Sequence, residues 1–201
     1  MGKTCLVFGC SGQDGSLICK SLIESGHKVI AITRKTSQNI FDPKNHQKLG
    51  IDGKLDIQSI SMENLEDTVE LLKKSQPEHI YNFSAQSSVG LSFDLPKDTQ
   101  KSIVDATSNL LEACRIIQYE GKIFFSGSSE IFGETLQPAT LESNIKIHSP
   151  YGAAKYQSLI LARMYKEIYG IKAITGIFFS HESYLRNENF VTQKIINGAI
   201  K

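Results

Sequence analysis

The sequence has no long apolar run. Nothing in its 201 residues approaches the roughly 20 consecutive apolar positions that a membrane-spanning helix needs, so no membrane partner is expected. It also has no excess of either charge. Twenty-two Lys and Arg stand against 21 Asp and Glu, which leaves no global field to hold nucleic acid or an anionic surface. Any anion must therefore be held by a local group of residues. Cysteine is sparse: Cys5, Cys10, Cys19 and Cys114 sit in apolar stretches without metal-ligand spacing or a secreted-framework pattern. No metal site is expected, and the thiols read as reduced and cytoplasmic. Nor does the N-terminus look like a cleavable leader, because it enters a strand and a glycine turn at once. Met1-Gly2 lacks the Ser or Thr that a myristoylation motif wants where Leu6 stands. Gly2-Lys3-Thr4 has no upstream strand or glycine to make it a phosphate loop. Internal repeats and low-complexity segments are missing too.

What remains is 40% hydrophobic and 21% charged, the balance of one globular domain with a sizeable core. Periodicity predicts strands at Lys3 to Gly9, Lys28 to Thr33, Leu55 to Ile57, His79 to Phe83, Lys122 to Ser126 and Ala173 to Phe179. It predicts helices at Asp14 to Ser25, Ser61 to Ser75, Ser102 to Gln118 and Pro150 to Tyr169, with a final helix from Phe190 to Lys201. Strands alternating with helices imply right-handed crossovers and a parallel sheet covered on both faces. This is the α/β, doubly wound, Rossmann-like architecture. The stretch Lys35 to Lys54 reads as a long functional loop. The last helix has no cap and no closing strand, so the chain reads as ending early, with the substrate-side region incomplete.

Gly9, Gly12 and Gly15, spaced by three, fall directly after the first strand and at the opening of the first helix. The first permits a tight turn, the second lets backbone approach a pyrophosphate, and the third lets the helix lie close on the sheet, with its N-terminus facing the phosphates. At the end of the second strand, where a carboxylate would hold a free ribose hydroxyl, stand Arg34 and Lys35, followed by Thr36 and Ser37. A cationic pair there favours a 2′-phosphate, hence NADP over NAD. The competing reading of that stretch is a solvated basic loop.

Ser149-Pro150-Tyr151-Gly152-Ala153-Ala154-Lys155 carries the clearest chemistry. Ser149 can cap a helix and Pro150 suits its first turn, so Tyr151 and Lys155 project from one face. A phenol titrates near ~10 and is a weak base at neutral pH, but an adjacent ammonium favours the phenolate. Ser128 and Glu130 follow the fifth strand, so they should emerge at the carboxyl edge of the sheet, where ligands bind in this architecture. Without the Tyr and Lys pair, that serine-rich turn would read as ordinary strand termination.

A glycine turn, an intervening Ser and Tyr-x-x-x-Lys together resemble the extended short-chain dehydrogenases. Several strings narrow the resemblance to the GDP-mannose 4,6-dehydratases: Gly12-Gln13-Asp14-Gly15, Tyr81-Asn82 with Ala85-Gln86-Ser87, Ser92 to Leu95, Ser149 to Lys155, and His181-Glu182-Ser183 followed by Asn189 to Thr192. The resemblance covers nearly the whole chain. It implies that hydride leaves C4 of a GDP-linked hexose to NADP, water is lost across C5 and C6, and hydride returns to C6. On the same basis Tyr151 is the base for the C4 hydroxyl, Lys155 tunes it and holds the nicotinamide ribose, Ser128 shares the hydroxyl proton where the family usually has Thr, and Glu130 takes the C5 proton. Gln13 and Asp14 would join the glycines at the cofactor, Asp56 and Ile57 would lie near the adenine, Ala85, Gln86 and Ser87 along the phosphates and ribose, and His181 near the nicotinamide amide. Ser87, Ser128, Glu182, Arg186, Asn189 and Lys194 would face the nucleotide sugar. The family forms homodimers and homotetramers.

The chain departs from the family pattern at two strings. Ser180 stands where Asn usually precedes His-Glu, and Tyr184-Leu185-Arg186-Asn187 replaces Pro-Arg-Arg-Gly. The expected division is therefore residues 1–180 as an NADP-binding domain carrying the catalytic residues and 181–201 as the start of the substrate-binding region. Two other readings stay open, a nucleotide-sugar epimerase or reductase of the same superfamily and a dinucleotide-binding module without catalysis.

Overall fold

A computed structural model describes residues 2–34 and 41–200. Six strands, β1 (Thr4–Phe8), β2 (Lys28–Arg34), β3 (Asp56–Ile60), β4 (His79–Asn82), β5 (Lys122–Ser128) and β6 (Lys172–Phe178), form one sheet in the order β3-β2-β1-β4-β5-β6. Every neighbouring pair is parallel. The order reverses between β1 and β4, which opens a crevice at their carboxyl ends, the usual ligand position in such sheets.

The central strands are apolar at consecutive positions because both faces are covered. Along β1, Leu6 and Phe8 enter one core cluster while Cys5 and Val7 enter another on the opposite side. The first cluster is closed by α3 (Leu65–Ser75), α6 (Ala106–Ile116) and α7 (Pro150–Tyr169), through Leu71, Leu72, Leu110, Leu111, Ala162 and Tyr165. The second is closed by α1 (Gln13–Glu24), through Cys19 and Leu22, with Leu49, Ile51 and Leu185 beside them. All four cysteines are free and buried, and burial pushes the thiols of Cys5 and Cys10 up to about 11 and about 12, so they behave as inert core residues.

Local chemistry sets the helix ends. The Asn64 side chain accepts hydrogen bonds from the backbone N–H groups of Glu66 and Asp67, which starts α3 later than the Ser61 expected from periodicity. Ser149 accepts from the N–H of Gly152 at 3.0 Å, Pro150 occupies the first turn, and Gly170 closes α7 in the left-handed conformation with φ 71°.

Four other differences from the sequence reading have plain causes. The expected loop holds a short helix, α2 (Lys44–Lys48), too brief to show a period. The third strand runs Asp56–Ile60 rather than stopping at Ile57, because it lies at the sheet edge and shows no buried face. Two short helices, α4 (Val89–Asp94) and α5 (Pro96–Gln100), fill the connection after β4, followed by a wide turn at Lys101–Asp105. Finally, β5 continues to Ser128, which pairs with Phe178 of β6. A last helix, α8 (Val191–Ile200), buries none of its residues among those described. No helix among the described residues is long and apolar enough to cross a membrane.

Candidate active site

The glycine turn is built by close backbone approach. A Cβ on Gly15 would stand 2.1 Å from the carbonyl oxygen of Gly9, and one on Gly9, at φ 75°, would stand 2.7 Å from the backbone of Phe83. Both positions therefore require glycine. Two carbonyls of the turn are fixed from outside it. That of Cys10 accepts from Ser16 Oγ at 2.9 Å and from the buried His46 Nε2 at 2.8 Å, and that of Ser11 accepts from Asn45 Nδ2 at 3.0 Å. Asn45 and His46 lie on α2, in the stretch read from sequence only as a loop, where nothing in the pattern pointed to them.

Beside the turn lies a cavity of about 500 Å³, lined by Gly9, Gly12, Arg34, the carboxyl end of β3 at Ile60 to Glu63, and Phe83, Ser84 and Ala85. Arg34 is thus brought to the glycines as expected, while Lys35 lies outside the described residues. Asp56 and Ile57 are not brought there. They open β3, at the end of the strand away from the ligand edge, and are exposed. Ser61 and Met62 line the cavity instead. The resemblance had put that role at the opposite end of the strand from the cavity.

The same Phe83, Ser84 and Ala85 also line a second cavity of about 210 Å³, together with Asp14, Gln86, Ser87, Ser128, Glu130, Tyr151, Lys155, His181, Glu182 and Arg186. Ala85 has φ 149°, a region that L-residues rarely occupy and that costs on the order of 1–3 kcal/mol. Its neighbour Gln86 is locked by donating to the carbonyl of Ser88 at 2.8 Å and to Thr99 Oγ1 at 3.2 Å.

Within this cavity Tyr151 and Lys155 are both buried, at 8% and 7% exposure. Lys155 Nζ donates to the carbonyl of Ser126 at 2.8 Å and lies 5.7 Å from the centre of the Tyr151 ring. Burial pushes the ammonium of Lys155 down to about 8. The phenol of Tyr151 is pushed up by burial, a shift opposed by its hydrogen bond with Ser128 and by the Arg186 guanidinium and reinforced by the Glu130 carboxylate. The sequence reading expected an ammonium-driven fall. In this structure desolvation of the phenol leads, and the groups that oppose it are Ser128 and Arg186 rather than Lys155. Ser128 Oγ also accepts from the backbone N–H of Glu130 at 3.2 Å, which fixes the turn carrying both.

The C-terminal wall of the cavity is the stretch after β6. Arg186 stacks on Phe190, with its guanidinium carbon 3.7 Å from the ring centre, and its Nε lies 3.5 Å from Glu182. Asn189 faces a separate polar cleft of about 600 Å³, shared with Gln13, Ser87 and Arg186. Lys194 lies on α8, exposed and lining none of these cavities. No group of three or more His, Cys, Asp or Glu among the described residues is arranged to hold a metal ion.

The family model described as GDP-mannose 4,6 dehydratase matches residues 6–201. GDP-mannose 4,6 dehydratase 1 of Arabidopsis thaliana is 35% identical over 216 residues, covering 99% of this chain and 58% of that protein. The GDP-mannose 4,6-dehydratase of Vibrio cholerae is 35% identical over 208 residues, covering 98% and 55%. The chain thus spans little more than half the length of these curated relatives. Among solved structures, the dTDP-glucose 4,6-dehydratase DesIV of Streptomyces venezuelae, with NAD and TYD bound, matches with a TM-score of 0.87 at 19% identity, covering 98% of this chain and 62% of that one. UDP-glucuronic acid 4-epimerase of Bacillus cereus, in complex with UDP-glucuronic acid and NAD, matches with a TM-score of 0.82 at 22% identity, covering 98% and 63%. At those identities the structures share the fold, whereas the family match rests on sequence along nearly the whole chain: the chain belongs to the GDP-mannose 4,6-dehydratase family.

Proposed function

We propose that this chain carries the dinucleotide-binding and catalytic part of an NADP-dependent nucleotide-sugar 4,6-dehydratase that converts GDP-mannose to GDP-4-keto-6-deoxymannose. The observation that supports this most is the meeting of Ser128, Glu130, Tyr151 and Lys155 on one small cavity that adjoins, through Phe83 to Ala85, the larger cavity beside the glycine turn.

The residues fit a dinucleotide. The turn is pressed so close to β4 and to α1 that only hydrogen is accommodated at Gly9 and Gly15, which leaves exposed backbone beside the cavity to approach a pyrophosphate. Arg34 at the far end of that cavity is a cation suited to a 2′-phosphate, which is why NADP is favoured over NAD. When bound, the dinucleotide would supply the acceptor and donor of hydride. Gly9, Gly12, Gln13, Asp14, Gly15, Arg34, Ala85, Gln86, Ser87 and His181 would hold it, with Lys155 at its ribose.

The chain's own residues handle protons. Tyr151, on the same cavity as Ser128, would take the proton of the sugar's C4 hydroxyl, with Ser128 and the Arg186 guanidinium favouring the phenolate. Glu130, on the same turn as Ser128, takes the C5 proton once C4 is a ketone and that proton is acidic. Glu182, Arg186 and Asn189 line the side where a nucleotide sugar would enter, so residues 1–180 would form the cofactor domain and 181–201 the beginning of the substrate side. A 4-epimerase of the same superfamily needs no base for C5, and a carboxylate at Glu130 lining the cavity therefore favours the dehydratase over that reading.

Mass spectrometry of GDP-mannose incubated with NADP⁺ and this chain tests the reading. Loss of one water without net reduction of NADP⁺ is expected, and Glu130→Gln should abolish water loss while leaving C4 oxidation in place. An unchanged sugar under conditions where NADP⁺ binds would point instead to a binding module.

A further inference from the structure

His181 has an arrangement that its proximity to the cavity does not require. Its Nδ1 lies 2.7 Å from the carbonyl oxygen of Phe179, and its Nε2 lies 2.9 and 3.1 Å from the two carboxylate oxygens of Asp14. Both partners can only accept. A neutral imidazole has one N–H and one lone pair, so in the neutral ring one nitrogen would turn its lone pair toward an oxygen. Only the imidazolium satisfies both contacts. The ring also meets Phe178 edge-on, with centroids 5.2 Å apart.

The contact belongs to a larger seam. Asp14 lies in the first turn of α1, 167 residues from His181 in sequence. Beside it, Gln13 Nε2 donates to the carbonyl of His181 at 3.5 Å, and Ser183 Oγ donates to Gln13 Oε1 at 2.9 Å. Gln13 also donates to Asp14 Oδ1 at 3.3 Å, which orients the carboxylate. Two residues of the glycine-turn helix thus hold His181 and Ser183, on either side of Glu182, and His181 and Glu182 line the catalytic cavity.

We propose that Asp14 is a positioning residue that holds His181 as an imidazolium bonded through both ring nitrogens, pinning the 181–183 stretch, which lines the cavity through His181 and Glu182, to the first turn of α1 and releasing it when the ring loses a proton. The charges around the ring support this. Asp14, from α1, and the Phe179 carbonyl, just past β6, favour the cation. Arg186, on the following stretch, opposes it, and Glu182, which also lines the cavity, is paired with Arg186. Glu130, Tyr151 and Lys155 line the same cavity. The net direction for His181 is upward, led by the carbonyl and then by Asp14 against desolvation. A group whose folded value is raised contributes its full stabilisation below the ordinary histidine value near ~6.5, and that contribution is lost as pH rises through the folded value. The seam should therefore be closed in mild acid and loosen toward alkaline pH.

The test needs no ligand, so its failure is distinguishable from failure of the proposed activity. The chain labelled with ¹⁵N-histidine is titrated by NMR, alone and as Asp14→Asn, while backbone hydrogen exchange is followed at 181–183. The expected result is an imidazolium signal for His181 persisting above the ordinary histidine midpoint. In Asp14→Asn the midpoint should fall, with several-fold faster exchange confined to 181–183. A neutral single-tautomer ring at pH 6 in the unmodified chain would overturn the proposal, and this arm stands even if Asp14→Asn does not fold. A midpoint unmoved in a folded Asp14→Asn would also overturn it.

Discussion

The two halves of the site are held by different physics. Around the glycine turn, shape decides: Gly9 and Gly15 are fixed by backbone contacts that exclude a Cβ, and the surrounding hydrogen bonds go to main-chain carbonyls. Around Tyr151 and Lys155, burial and charge decide: two titratable groups are almost fully withdrawn from water, and the groups that favour their charged forms are few. A shape-based site tolerates changes of pH and fails on added volume. A charge-based site tolerates isosteric changes and fails when a proton or a charge is removed.

Four substitutions sharpen that contrast. The largest effect is expected from Tyr151→Phe, which keeps volume and removes the proposed proton acceptor. The proposed turnover of GDP-mannose should fall by about 10²–10⁴-fold with dinucleotide affinity nearly unchanged, as read by steady-state kinetics beside a binding titration.

Gly15→Ala breaks the other half. Its Cβ would fall 2.1 Å from the Gly9 oxygen, and forced overpacking of this kind costs about 1–3 kcal/mol. Urea denaturation should show the loss, together with weakened dinucleotide binding at every pH.

Lys155→Met should alter the pH dependence of stability. Depression of Lys155 to about 8 from 10.5 means that the unfolded chain binds the extra proton between those values. Stability of the unmodified chain should therefore rise as pH increases from about 8 toward 10.5. Below that window the burial penalty is fully present, so Lys155→Met, which removes it but also the hydrogen bond to the Ser126 carbonyl, should lose the alkaline rise, along with the proposed turnover. Denaturation at pH 7 and pH 10 reads the rise and its loss.

The smallest effect belongs to the junction of the two halves. Ala85→Gly relieves the strained φ of 149° and should stabilise the chain by about 1 kcal/mol, visible as a small rise in Tm.

Much of this arrangement was legible in the sequence. Sheet class, strand sequence, the glycine turn and the Tyr151 and Lys155 face follow from periodicity and spacing, because those signals are local. Elements shorter than two turns were not legible, and α2 carries two of the side chains that brace the turn, Asn45 and His46. Nor was the start of α3, where one Asn64 cap overrides the apolar period. At the site, Asp56 and Ile57 open β3 away from the cavity, which Ser61 and Met62 line past the strand's carboxyl end; a resemblance carried over by residue type does not say which end of a strand meets the ligand. The direction of the Tyr151 shift was also not readable, since desolvation depends on what covers a ring and not on its neighbours in sequence. The seam between Gln13, Asp14 and residues 181–183 was invisible for the same reason, its partners being 167 to 170 residues apart.

The most direct test of a buried proton-handling cavity set against a dinucleotide turn is to supply GDP-mannose carrying deuterium at C4, with NADP⁺, and to analyse the product by mass spectrometry and NMR. Loss of one water with the deuterium retained at C6 is the predicted result. A dehydrated product without the label, or accumulation of reduced NADP in proportion to sugar consumed, would contradict it.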